Sequence, residues 1–193
     1  MARTSVRSQR EVTGRCRALQ DEVAAALERL PTANGDPALV DALWHGEALG
    51  ALLWALELAQ MPAYDRAFDA RRLLEVDPED GELRPADELR RERDAARLWH
   101  WRARTAALNE AGALAPPERY ASLDQLVAAT AMRGHEQGLL PPPLRGDFGA
   151  FGKIYRHLTP PERAEAHAIA AERHHALGWI LGRESWDDVP LDS

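Results

Sequence analysis

Cysteine is almost missing from this sequence: Cys16 is the only one in 193 residues, so no disulfide can close within one chain. The start, "MARTSVRSQREV", carries no apolar signal segment. With a single thiol, that predicts a reducing cytoplasm. Long apolar runs are missing too. The longest, "ALGALLWALELA" from Ala48 to Ala59, falls well short of the roughly 20 residues that span a bilayer, so it reads as a core helix and membrane association is not expected. There is no excess of positive charge either. The net charge is -7, so neither nucleic acid nor an anionic lipid surface is an expected partner. Arg3, Arg7, Arg10, Arg15 and Arg17 make the first helix locally basic, which reads as a solvated helix face.

Several signatures of chemistry are also absent. The sequence has no Gly-x-Ser-x-Gly elbow, no P-loop and no glycine-rich dinucleotide fingerprint after a strand, so no cofactor is expected. Glu172 and His175 have the Glu-x-x-His spacing that puts two metal ligands on one helix face, but a di-iron site needs two such pairs. No second pair exists, and no His-x-x-x-His pair or cysteine cluster supports zinc, so no metal is expected. No run alternates like a strand.

Helix punctuation is plentiful. Ser8 with Glu11 forms a capping box for the first helix, which Pro31 ends. Asp36 and Pro37 open a second helix running to about Gln60. A shorter helix is expected over Tyr64 to Leu74, and a long one from Pro85 to Ala111 with Gly112 as its C-cap. Ser122 and Gln125 begin another. "PPPLRGDFGAFG" is the least regular stretch and reads as a loop, and "GDFGAFGKIY", which overlaps it, reads as a mobile or lid-like loop. Thr159, Pro160 and Glu162 open the last helix, and Gly182 lies past its end. With hydrophobic residues at 45% and charged residues at 28%, the chain is globular. The expected fold is all-α: one domain over 1–193, a bundle of five or six helices with a C-terminal strap.

The second helix is apolar on both sides, with Glu47 among Val40, Leu43, Ala51, Trp54 and Leu58. It is therefore central, and Glu47 sits in a low-dielectric setting that demands a partner. Glu47, Asp94 and Glu172 each precede a tryptophan (Trp54, Trp101 and Trp179) by seven residues, which is two helical turns. One reading is a buried network of these acids with arginines such as Arg102 and Arg173, fixing helix register. The other has the acids converging as general acid, general base or metal ligands, with pKa values raised by burial. His174 and His175 read as capping or surface residues.

The segments "LWHGEALGALLWALEL", "ELRPADELRRERDAARLWHWRAR", "FGKIYRHLTPPERAEAHAIAAERHHALGWILG" and "WDDVPLDS" resemble a bacterial family known as domain of unknown function 4272. The most specific part is Glu172, Arg173, Ala176, Leu177 and Trp179, followed by Trp186, Asp187 and Val189. Gly178 stands where the family usually has Asn, and His45 where it usually has Arg. Leu191, Asp192 and Ser193 replace the usual Thr-Asp-Thr end. If the family's arginine pairs with a buried acid, Glu47 needs a different partner in this chain. The resemblance implies no reaction.

The expectation is a cytoplasmic helical domain that binds a protein partner or a small ligand, in a pocket lined by Trp54, Trp101 and Trp179 with His175 and Arg173. The alternative is a hydrolase using Glu47, Asp94 and Glu172. The closing "SWDDVPLDS" reads as a latch: Trp186 packs on the core while Asp187 or Asp188 is held by arginine or backbone donors.

Overall fold

A computed structural model describes residues 6–30 and 36–191 of the chain. Among these residues six α-helices carry the fold: α1 Gln9–Arg29, α2 Pro37–Ala55, α3 Ala70–Leu73, α4 Ala86–Glu110, α5 Leu123–Glu136 and α6 Pro160–Leu181. α2 packs against both α1 and α6, and α6 packs in turn on α4, so α2 and α6 form the middle of the bundle. The apolar pattern of α2 accounts for this, since Leu39, Leu49, Leu52 and Leu53 are all buried. The all-α expectation holds. Among the described residues no helix is long and apolar enough to cross a membrane.

The helix starts follow local chemistry. Ser8 and Glu11 make the reciprocal capping box, and Asp36 accepts from the amide of Ala38 with Pro37 at the first position. Glu162 accepts from both the amide and the hydroxyl of Thr159, at 2.7 and 2.9 Å. Ser122 caps α5, but Gln125 reaches the amide of Ala121 rather than that of Ser122, so this box is incomplete. Gly112 takes a φ of 66° just past α4, a conformation that favours glycine. The expected stop at Pro31 lies outside the described residues, as do Arg3, Asp192 and Ser193.

Two expected helices are shorter than their sequence pattern suggests. α2 ends at Ala55 instead of Gln60 because the segment 82–84 takes over its last carbonyls: Glu82 N donates to Leu56 O, Arg84 N to Ala55 O and Arg84 Nε to Trp54 O. Glu57 then turns the chain with a φ of 63°. Of the helix expected over Tyr64 to Leu74, only Ala70–Leu73 forms, capped by Asp69. The carbonyls of Pro62, Ala63 and Arg66 accept from Arg173 instead, and the amide of Phe68 donates to Glu47. Side chains of α2 and α6 thus take the place of a local helical ladder.

The stretch expected to be a mobile or lid-like loop is folded and held. Asp147, 2% exposed, accepts from Arg102 Nε and Nη2 at 2.8 and 2.9 Å and from the amide of Phe148. A short hairpin follows, β1 Gly149–Ala150 paired antiparallel with β2 Lys153–Ile154, although no strand is legible in the sequence. Phe151 and Gly152 make its turn at positive φ, and the amide of Phe151 donates to Asp65.

Candidate functional site

Glu47 is fully engaged. Arg173 Nε and Nη2 donate to its Oε2 at 2.9 and 2.8 Å, and the amide of Phe68 donates to Oε1 at 2.6 Å. Desolvation pushes the Glu47 carboxyl above its ordinary pKa, against the pull of Arg173 and the Phe68 amide. Glu172 is half-buried and is also pushed up by desolvation; Asp41 and Glu47 add to the shift and His45 opposes it. Asp94 does not join them. It pairs at 2.8 Å with its neighbour Arg93, with about a third of its side chain exposed. The three acids therefore do not converge.

The three tryptophans do not form one pocket either. Trp54 lies under the guanidinium of Arg84, Trp101 is tilted against Phe148, and Trp179 lies under Arg7 and meets Trp186 edge-on. Among the described residues, no group of three or more His, Cys, Asp or Glu is placed to hold a metal ion. Cys16 is buried, and desolvation pushes its thiol up to about 12, so it is an inert core residue.

What the fold does build is a cleft of about 300 Å³ where the loop after α2 meets α4 and the segment before the hairpin. Tyr64 and Trp99 form its floor, stacked with centroids 5.4 Å apart and planes 9° apart, and Phe148 meets Trp99 edge-on at 5.1 Å. The Tyr64 hydroxyl donates to Glu92 Oε1 at 2.9 Å. Burial, and next the charge of Glu92, holds the phenol well above its ordinary pKa, so it stays a donor. Asp65, next to Tyr64 on the same loop, also lines the cleft while accepting from the amide of Phe151. The lining includes two carboxylates, Asp65 and Glu92, and no basic side chain.

Arg173, expected at a ligand site, instead props this floor. Its guanidinium carbon lies 4.9 Å from the Tyr64 ring centroid while its nitrogens hold the carbonyls of Pro62, Ala63 and Arg66. Trp99 and Glu92 were missed in the sequence although a signal was present. They too are seven residues apart on one helix. The neighbouring pair Asp94 and Trp101, on the adjacent stripe of α4, shares that spacing and faces elsewhere.

His175, also expected at a ligand site, meets the chain end. Its Nε2 lies 2.8 Å from the carbonyl of Trp186 and therefore donates to it. The Trp186 ring is half-buried between His175, Trp179 and Arg15, whose guanidinium carbon is 4.0 Å from its centroid. Of the two acids expected to be held by arginine or backbone donors, Asp188 accepts from the Ser185 hydroxyl at 2.5 Å instead, and Asp187 is exposed. Arg7 and Arg15 are not a solvated face. Arg7 donates to the carbonyls of Trp179 and Glu184, and Arg15 covers Trp186. His174, expected as a capping or surface residue, is 5% exposed and sits 3.2 Å from His100, Nδ1 to Nδ1.

Comparisons with family models, with curated proteins and with solved structures find no match.

Proposed function

We propose that this protein binds a small ligand in the Tyr64–Trp99 cleft, and that the ligand joins an apolar body to a basic group. The observation that carries this reading is the cleft itself. A concave site with an aromatic floor and a few placed polar groups is what small-molecule recognition needs, and here the charged groups of the lining are both acids. The floor is pre-formed, since the Glu47–Arg173 pair fixes the 62–68 backbone before any ligand arrives. Pre-organisation of this kind lowers the entropy cost of binding.

The hydrolase reading has less support. Both oxygens of Glu47 are occupied, and Asp94 stands apart. The resemblance to domain of unknown function 4272 belongs to the same proposal, because its motif residues Arg173, Trp179 and Trp186 are those that brace the cleft and tie down the chain end. A cytoplasmic setting is part of it as well, on the strength of the lone buried thiol.

Calorimetry with benzylammonium, benzyl alcohol and benzoate tests the reading. Benzylammonium should bind, the alcohol about tenfold more weakly, and benzoate not at all; tenfold corresponds to about 1.4 kcal/mol. Glu92→Gln keeps an acceptor for Tyr64 and removes the charge, so it should erase the preference for the cation. Absence of binding across the set, or equal binding of benzoate, rejects the proposal.

A further inference from the structure

Each of the two acids on the Tyr64–Trp99 cleft has one oxygen tied to the protein and one left over. Glu92 Oε1 accepts from the Tyr64 hydroxyl at 2.9 Å, and Asp65 Oδ2 accepts from the amide of Phe151 at 2.7 Å. Glu92 Oε2 and Asp65 Oδ1 accept from no group among the described residues, and neither acid forms an ion pair there. Both residues are half-buried and both line the cleft, so an occupant reaches them. The nearby arginines are committed elsewhere: Arg91 to the carbonyl of Gly138, Arg93 to Asp94 and Arg173 to Glu47. Arg66, which follows Asp65 in the chain, is exposed and outside the lining.

We infer that the ligand of this cleft is a diamine, two ammonium groups joined by a short apolar spacer, with one group on Glu92 Oε2 and the other on Asp65 Oδ1. The inference rests on the reading of the cleft as an amine site and names the class within it. A single ammonium group pairs with one carboxylate and leaves the other half-desolvated without a partner, whereas a dication answers both. The backbone of Asp65 and the carboxylate of Glu92 are at opposite ends of the Tyr64 side chain, because Asp65 follows Tyr64 and Glu92 meets its hydroxyl. A ring-length spacer therefore follows the aromatic floor, and Ala95, Leu139 and Pro141 give it apolar contact. The bonds from Tyr64 and Phe151 orient the two carboxylates in advance, which lowers the cost of ordering the site on binding.

Calorimetry at neutral pH and constant ionic strength compares 1,4-bis(aminomethyl)benzene, a dication, with benzylammonium. The diamine should bind at least about tenfold more tightly, well beyond the roughly twofold advantage that two identical ends give by statistics. Asp65→Asn, whose amide oxygen still accepts from Phe151, should bring the ratio down to about that statistical value. Glu92→Gln should do the same, since either variant leaves a single acid in the cleft. Asp21→Asn, at an exposed position on α1 outside the cleft, should leave the ratio where it was. A smaller ratio in the unmodified protein, with benzylammonium bound, overturns the diamine and leaves the amine site standing. A ratio that survives both cleft variants, or that falls as far with Asp21→Asn, reports general attraction to an acidic chain and overturns it as well. If neither amine binds, the reading of the cleft fails and the diamine with it.

Discussion

Arg173 and Glu47, 126 positions apart, meet in the core with two guanidinium nitrogens on one carboxylate oxygen and side-chain exposures of 0% and 3%. The pair joins α2 to α6, and its outer side carries the loop that floors the cleft. Burying two charges costs several kcal/mol of desolvation per ion, which their attraction offsets only with full hydrogen bonding. Here the bonding is complete on both residues.

Breaking the pair from one side should therefore be expensive. Glu47→Ala strands the buried guanidinium, and about 3 to 5 kcal/mol of stability should go. Glu47→Gln still accepts from Arg173 through its amide oxygen, so it should cost less than the alanine while exceeding 1 kcal/mol. Urea melts measure both. Equal, negligible losses would mean that Glu47 is solvated and the brace is not there.

The His100–His174 contact predicts acid sensitivity. Two Nδ1 atoms at 3.2 Å share one proton, so both rings are neutral and of opposite tautomer. Burial, and then the neighbouring basic groups, push each down to about 4: His167 and Arg104 act on His100, while His100, Arg93, Arg97 and His175 act on His174. A base whose folded pKa is depressed binds fewer protons when folded, so stability is lost as pH falls from 6.5 toward 4. For rings buried this deeply the loss on protonating the first of the two is on the order of 3 kcal/mol. Glu47 and Glu172 act the other way. Their raised carboxyls favour the folded state below the ordinary carboxylate value of 4.5, and that contribution fades as pH rises through their folded values. His174→Gln should flatten the pH dependence of urea melts between 6.5 and 4, and an unchanged slope would exclude the pair as its source.

Glycines on α1 and α2 separate packing from propensity. A Cβ on Gly50 would run into the Phe68 ring at Cδ2, and the amide of Phe68 is bound to Glu47. Gly50→Ala should cost about 1 to 3 kcal/mol and loosen the cleft as well. Gly14 on α1 meets nothing within 4 Å. Gly14→Ala should stabilise by up to about 1 kcal/mol. Thermal melts that give both substitutions the same sign would refute this account.

Much of the fold is written locally. Ser8 with Glu11, Asp36 with Pro37, and Gly112 act within a few residues, and the two-sided apolar pattern of α2 requires a central position. The loop over 62–68 could not be read this way. Its carbonyl donor, Arg173, lies 107 to 111 positions away, so its own sequence resembles a helix that does not form. The basic start of α1 misleads for the same reason: the ring under Arg7 belongs to Trp179 and the ring under Arg15 to Trp186. Glu47 was legible as a buried acid in need of a partner, because an apolar helix leaves it no water. Its partner was only a candidate until the chain folded.

The chain end should behave as a graded latch. Trp186 meets Arg15, His175 and Trp179, and its carbonyl accepts from His175, so the half-buried indole carries most of the attachment. Partial burial of an indole together with a cation–π contact is worth about 2 kcal/mol. The Asp188 carboxylate accepts from the Ser185 hydroxyl and its amide donates to the Ser185 carbonyl, both within the same turn, and Asp187 is exposed. Trp186→Ala should lower stability by about 2 kcal/mol, Arg15→Met by about half as much, and Asp188→Asn by less than about 0.5 kcal/mol. Deleting residues 185–193 should match or exceed the tryptophan substitution. Native-state hydrogen exchange gives the sharper measurement, because the amide of Arg7 donates to the carbonyl of Ile180 at the end of α6. Release of the latch should speed exchange at Arg7 while the amides of α2 stay protected. If Trp186→Ala leaves both stability and Arg7 exchange unchanged, the tail is not a latch and its rings are a surface available to a partner.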